Sequence, residues 1–338
     1  MLRVAVDAMG GDYAPAEVVA GALRASAEYG IEVLLVGDGA RIRDEITGLS
    51  HRNIAVVPAS EVIGMEEHPV QAVRRKKDAS IVRGIELVKD GRADAMVSAG
   101  NTGAVMAAAL FGLGRIQGID RPALMSLMPN PQGSTVLLDV GANVDVKAQH
   151  LMQFAVMGAG YASSVLKIKN PRVGILSIGE EETKGNELTL SAFPLLKREP
   201  LNFLGNVEGQ DVFNGRADVV VCDGFVGNVL LKAGEGLARA VEEMIRQEVA
   251  RSLPAKVALG TGLFFLKGLR RRLDYAEYGG APLLGVNGVV VVAHGTSRAL
   301  AIKNAIRVAV ESVKSRLVET IAAGIKGPNT KGAETANG

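Results

Sequence analysis

The chain has 338 residues, enough to bury a large core and to favour two domains over one. Apolar residues make up 48%, and the formal net charge of +2 offers no whole-molecule argument for nucleic acid or an acidic partner, so any such claim rests on local clusters. The only cysteine, Cys222, excludes an intrachain disulfide and fits a reducing cytoplasm.

The N-terminal stretch MLRVAVDAMGGD is too briefly apolar for a secretory signal and meets Asp7 at once. No apolar run approaches the length of a membrane span. Short β-branched runs predict strands at residues 3–6, 32–36, 53–57, 93–97, 123–127, 135–138, 172–177, 219–222 and 289–293. Helical spacing predicts helices at 16–29, 80–89, 102–113, 148–166, 187–196, 228–251 and 297–321. Pro15 suits the first turn of its helix, where a missing N–H costs little. Cys222 ends the run Val219, Val220, Val221, so a buried, inert thiol is expected there rather than a nucleophile. Residues 324–338 have no periodicity and read as a disordered tail. The alternation of strand and helix predicts an α/β fold with parallel sheets covered by helices on both faces.

Six predicted strands run into loops of one chemical character, expected at one edge of the sheet. They are 7–12 (Asp7, Gly10, Gly11, Asp12), 98–103 (Ser98, Gly100, Asn101, Thr102, Gly103) and 139–145 (Asp139, Asn143). The others are 179–186 (Lys184, Asn186), 223–228 (Asp223, Asn228) and 294–297 (His294, Ser297). In open parallel sheets ligands bind outside the carboxyl ends of the strands. Glycine admits close backbone approach, and a helix opening after the loop aims N–H groups at an anion. Any one loop reads as a helix-capping turn; six together point to a site. The 98–103 loop is the phosphate candidate, because it is small, glycine-flanked and opens a helix.

Other chemistries lack their signatures. The glycines at 37–39 and 112–118 do not give the dinucleotide spacing, and there is no P-loop, zincin motif or serine elbow. His51, His68, His150 and His294 are scattered, so metal ligation is not expected. Asp139 and Asp145 could hold magnesium, but solvated or capping roles fit them better.

Two basic clusters stand out. Arg74, Arg75, Lys76 and Lys77 form a compact run that is either a solvated face or a contact for phosphate or an acidic protein. Arg270, Arg271 and Arg272 follow LFFLKGL, with Phe264 and Phe265. That pattern suits an anionic membrane surface or a helical hairpin packed on a second subunit.

These motifs also carry a resemblance. VDAMGGDYAP (6–15), AVRRKKDAS (72–80), SAGNTGA (98–104), GIDRPAL (118–124), LLDVGANVD (137–145), KGNE (184–187), GNVEG (205–209), DGFVGN (223–228), YGGAPLLG (278–285) and AHGTS (293–297) occur together. The chain resembles the bacterial acyl-ACP:phosphate acyltransferases of phospholipid synthesis, and more faintly the phosphate acetyltransferases. His294 stands where the latter place an arginine, so that arginine is not carried over. The resemblance implies a three-layer αβα, two-domain fold like that of isocitrate and isopropylmalate dehydrogenases, with a cleft between domains. Residues 1–145 plus 289–323 would form the first domain. Residues 146–288 would form the second, with an amphipathic insertion near 254–274.

The implied reaction is phosphorolysis of long-chain acyl-ACP by inorganic phosphate, without an organic cofactor. His294, Asn228 and Lys184 are the candidate catalytic residues, with phosphate on the 98–103 loop helped by Arg75 or Lys184. Acylated carrier protein would be a partner, docking on Arg74–Lys77 or Arg270–Arg272. A homodimer and peripheral contact with membrane or a membrane-bound glycerol-3-phosphate acyltransferase are implied as well. Two other readings remain: a nicotinamide-dependent decarboxylating dehydrogenase on the related fold, and a non-catalytic scaffold at the membrane surface.

Overall fold

The computed structural model describes residues 1–48, 52–251 and 275–326. Its strands form one 11-stranded sheet in the order β3-β2-β1-β4-β11-β10-β5-β6-β9-β7-β8. They are β1 (Arg3–Asp7), β2 (Glu32–Gly37), β3 (Ile54–Pro58), β4 (Ala95–Ser98), β5 (Ala123–Asn130), β6 (Gly133–Leu138), β7 (Arg172–Leu176), β8 (Asn202–Val207), β9 (Val219–Val221), β10 (Ala281–Leu284) and β11 (Val289–Val292). β8 and β10 are additions to the expected set. β8 carries Asn202, Gly205 and Asn206, and β10 begins Ala281-Pro282, so neither shows the β-branched run that marks most of the others.

The helices are α1 (Ala16–Tyr29), α2 (Gly39–Ile46), α3 (Pro69–Arg75), α4 (Ser80–Lys89), α5 (Thr102–Gly112), α6 (Ala148–Ser164), α7 (Glu187–Arg198), α8 (Asp211–Asn214), α9 (Gly224–Arg251), α10 (Tyr275–Tyr278), α11 (Ala299–Lys314) and α12 (Leu317–Ile325). The single helix expected at 297–321 is two, because Arg316 takes a left-handed conformation with φ 54° between them. α9 starts four residues before the expected position 228. The Asp223 carboxylate accepts the Val226 N–H at 2.9 Å and so nucleates the first turn. Among the described residues no helix is long and apolar enough to cross a membrane.

The sheet is mostly parallel, with three exceptions in its middle. β10 runs antiparallel to both β11 and β5, and β5 runs antiparallel to β6. Three reversals turn β6, β9, β7 and β8 against β1, β4 and β11. The six loops therefore do not share one edge, as strand–helix alternation alone suggested. Three leave one edge and three leave the opposite edge.

Helices cover both faces. Val4, Val6, Val33, Leu35, Val97 and Val291 pack under Val18, Val19, Ile302 and Ile306 of α1 and α11. On the same strands, Ala5, Leu34, Val36, Met96 and Val290 face the other way, toward Ile81, Ile85 and Val105 of α4 and α5. Strands buried on both faces account for the near-continuous apolar runs. In the other half, α6, α7 and α12 cover Met125, Val136, Leu138 and Val221, while Leu124, Met128, Leu137 and Val220 face α8 and α9.

Candidate functional site

A cavity of about 1260 Å3 lies over β5 and β10, on the face that carries α5 and α9. Its floor is Leu124, Ser126, Met128 and Asn130 of β5. α9 supplies Leu230, Leu231, Leu237 and Val241. The cavity is larger than the usual small-ligand pocket and mainly apolar in its lining. Loops from both edges of the sheet reach it.

The first wall comes from β1, β4 and β11, adjacent parallel strands whose ends converge. Asp7 is fully buried. Its Oδ2 accepts the Ser98 hydroxyl at 2.7 Å, its Oδ1 accepts the Met9 N–H at 3.1 Å, and Ser98 Oγ accepts the Gly100 N–H at 3.0 Å. Burial raises the Asp7 carboxyl above its ordinary value, against the pull of these donors. Gly10 is required here, since a Cβ would stand 2.6 Å from Gly100 N. Gly11 lies over Gly295 and Ala99. The Asp12 N–H donates to Gly295 O at 2.8 Å, which ties the first loop to the last.

The polar side chains Ser98 and Asn101 of the 98–103 loop are largely committed to neighbouring protein segments. Asn101 Oδ1 accepts the Ala104 N–H, and its Nδ2 donates to the carbonyls of Gly64, Met65 and Glu67 at 3.3, 2.9 and 3.2 Å. That clamp swings Met65 into the cavity lining. Gly103 packs on Pro69. Ser98, Gly100, Asn101 and Gly103 thus shape the wall, and Thr102 is the residue of this loop that lines the cavity.

His294 lines the same corner. Its Nδ1 accepts the Thr296 N–H at 3.2 Å and lies 2.8 Å from Thr296 Oγ1. An acceptor Nδ1 puts the proton of the neutral ring on Nε2. Burial lowers the His294 pKa below 6.5, and the Lys232 charge lowers it further. Ser297 is buried against this turn, with its N–H on His294 O at 2.9 Å.

The second wall comes from β6 and β9. The buried Asp139 carboxylate accepts the N–H groups of Leu124, Gly141, Ala142 and Asn143 at 2.7–3.1 Å, and Asn143 Nδ2 at 2.9 Å. Burial again raises its pKa against those bonds. Asn143 also donates to Pro122 O, and its own carbonyl accepts the Gly224 N–H. Asp139, Asn143 and the α9 cap Asp223 therefore build the loop, and Gly141, Val144 and Asn228 face the cavity. The Cys222 thiol is buried against Asp139 O at 3.6 Å, and burial pushes it well above its ordinary value.

Other expected site residues stand apart. Asn186 caps α7 by accepting the Thr189 N–H. Lys184 is exposed, on a loop whose carbonyls are tied to Asn206, and it does not line the cavity. Arg75 pairs with Glu67 at 3.0 Å with its side chain 74% exposed. Lys76 is anchored to Glu67 and Val62 O, so it serves the fold. Arg74 lies over the Phe111 ring at 5.4 Å, and Lys77 is exposed. Phe264, Phe265, Arg270, Arg271 and Arg272 lie outside the described residues, as do positions 327–338 of the expected tail.

Two charged cavity residues escaped sequence reasoning altogether. Lys232 and Glu235 follow Asn228 on α9 at spacings of four and three, which places all three on one side of the helix. That spacing was visible, but it reads equally as the solvated face of an amphipathic helix.

The sequence matches the family described as fatty acid synthesis protein over residues 2–320. It is 58% identical over 337 residues to a phosphate acyltransferase of Desulforudis audaxviator, with both chains covered in full. The chain belongs to this phosphate acyltransferase family. A phosphate acyltransferase of Pelotomaculum thermopropionicum is also 58% identical, over 98% of this chain and 97% of its own. A member of the family is an acyltransferase of lipid synthesis. Solved structures share the fold at lower identity. A phosphotransacetylase from Streptococcus pyogenes aligns with TM-score 0.62 at 21% identity, covering 96% of this chain and 94% of its own. A 4-hydroxythreonine-4-phosphate dehydrogenase from Klebsiella pneumoniae aligns with TM-score 0.56 at 12% identity, covering 93% and 98%.

Proposed function

We propose that the protein forms acyl phosphate from long-chain acyl-ACP and inorganic phosphate, an early step toward phosphatidic acid. The observation that carries this reading is the cavity, which joins a long apolar lining to a polar corner around His294. Burying an acyl chain there removes apolar surface from water at about 25 cal/mol per Å2. The thioester then sits beside neutral donors.

A phosphate oxygen attacks the acyl carbonyl carbon, the C–S bond breaks, and the phosphate hydroxyl proton ends on the pantetheine sulfur. Hydrogenphosphate and thioester give acyl phosphate and thiol with charge conserved. His294, neutral with its proton on Nε2, donates to the carbonyl oxygen as negative charge develops there. Asn228 and the Thr102 hydroxyl supply further neutral hydrogen bonds. The exposed Arg74, Arg75 and Lys77 form the dock for an acidic carrier protein. The apolar residues Val229, Met244 and Ile245, exposed along α9, form the face for a second copy of the chain.

The test is an assay with acyl-ACP and phosphate, trapping acyl phosphate as its hydroxamate. Wild type is expected to form it. His294→Ala is expected to lower kcat by about 10²- to 10³-fold, the usual cost of one oxyanion donor, with an unchanged circular dichroism spectrum. No hydroxamate from wild type sinks the reading.

A further inference from the structure

A phosphate dianion entering a mainly apolar cavity needs a charge partner, because an unpaired buried ion is strongly disfavoured. Neither Lys184 of the strand-end loops nor Arg75 of α3 provides one, since both stand away from the cavity. Among the described residues that line it, Lys232 is the one lysine or arginine.

The setting of Lys232 is ordered. Glu235, its side chain 17% exposed, accepts Lys232 Nζ at 3.1 Å and Arg239 Nη2 at 3.2 Å with the same oxygen. Two cations on one carboxylate leave a net positive charge on this stretch of α9. One of the three Lys232 donors is used by Glu235, and the pairing restrains a side chain that would otherwise lose rotamer freedom on binding. Lys232 lines the same cavity as Asp12, Thr102 and His294, close enough for its charge to act on the His294 ring.

We infer that Lys232, positioned by Glu235, is the cation that binds the attacking phosphate next to His294. This rests on the phosphorolysis proposed above. A cation there neutralises the phosphate as it leaves water. It comes from α9, while the carbonyl donor comes from the loop after β11, and both line the same cavity. Burial first, and the Lys232 charge second, lower the His294 pKa, which favours the neutral ring as a donor.

The test varies phosphate at saturating acyl-ACP, and acyl-ACP at saturating phosphate, for wild type, Lys232→Met and Lys232→Arg. Loss of a charge-assisted bond is expected to raise the phosphate KM of Lys232→Met by about tenfold to a hundredfold, while KM for acyl-ACP stays within about twofold. Lys232→Arg, which keeps the charge, is expected to recover most of the phosphate affinity. A second readout needs no turnover. Phosphate, compared with chloride at equal ionic strength, is expected to raise the Tm of wild type but not of Lys232→Met. An unchanged phosphate KM and an undiminished Tm response in Lys232→Met overturn the assignment, as does equal loss in Lys232→Met and Lys232→Arg. If wild type makes no acyl phosphate, the phosphorolysis reading fails by itself, and the Tm comparison still decides whether Lys232 holds phosphate.

Discussion

Asp7 and Asp139 do the same job in the two halves of the sheet. Each is a buried carboxylate at a strand end that folds the following loop by accepting N–H or O–H donors. Asp7 makes this testable through pH. Its carboxyl is raised above 3.8 by burial, so between 3.8 and the raised value the folded protein binds more protons than the unfolded chain. Stability therefore falls as pH rises through that window. Asp7→Asn keeps the shape without the charge. The Tm of wild type relative to Asp7→Asn is expected to climb as pH is lowered from neutral toward 3.8; a pH-independent difference contradicts the burial account. His294 works in the opposite sense. Its pKa is lowered from 6.5, so the folded protein resists protonation and loses stability as pH falls below 6.5. Both residues stood out in the sequence as loop residues. Ser98 did too, but its pairing with Asp7 did not, because the two meet across 91 positions of chain.

α9 is the element on which the site depends most. It begins at the second wall, crosses the cavity, and carries Asn228, Lys232 and Glu235 to it. Its start is pinned by contact as well as by the Asp223 cap. A Cβ on Gly227 would overlap the Asp139 carbonyl oxygen and come within 2.9 Å of Cys222 Sγ. Gly227→Ala is expected to push α9 off the Asp139 loop and cost about 2–3 kcal/mol, read as a lower denaturation midpoint, with loss of activity beyond the loss of folded protein. A fully active, equally stable Gly227→Ala would show that the helix start can shift freely. The sequence announced a helix here, but not the contact that fixes where it begins.

At the scale of the whole molecule, the apolar face of α9 bears on assembly. Val229, Met244 and Ile245 are exposed in the single chain and do not line the cavity. Exposed apolar residues grouped along one helix commonly mark an interaction surface. If it is the contact between two copies, Met244→Glu with Ile245→Glu is expected to halve the mass measured by sedimentation equilibrium while leaving the circular dichroism spectrum intact. An unchanged mass removes this face from the subunit contact.

The sequence by itself determined the local chemistry. Short apolar runs, most of them β-branched, set nine of the strands, glycine, Asn and Asp set the strand-end turns, and the motifs together set the family. Local signals sufficed because backbone propensity and capping act over a few residues. The tertiary structure decided the rest. It reversed half of the sheet through β10 and β5, so the loops meet across a face instead of along one edge. It spent Ser98 and Asn101 on internal bonds, left Lys184 outside, and brought Lys232 to His294 from 62 positions earlier in the chain. Strand direction and donor commitment depend on which distant segments become neighbours, and no short stretch of sequence carries that information.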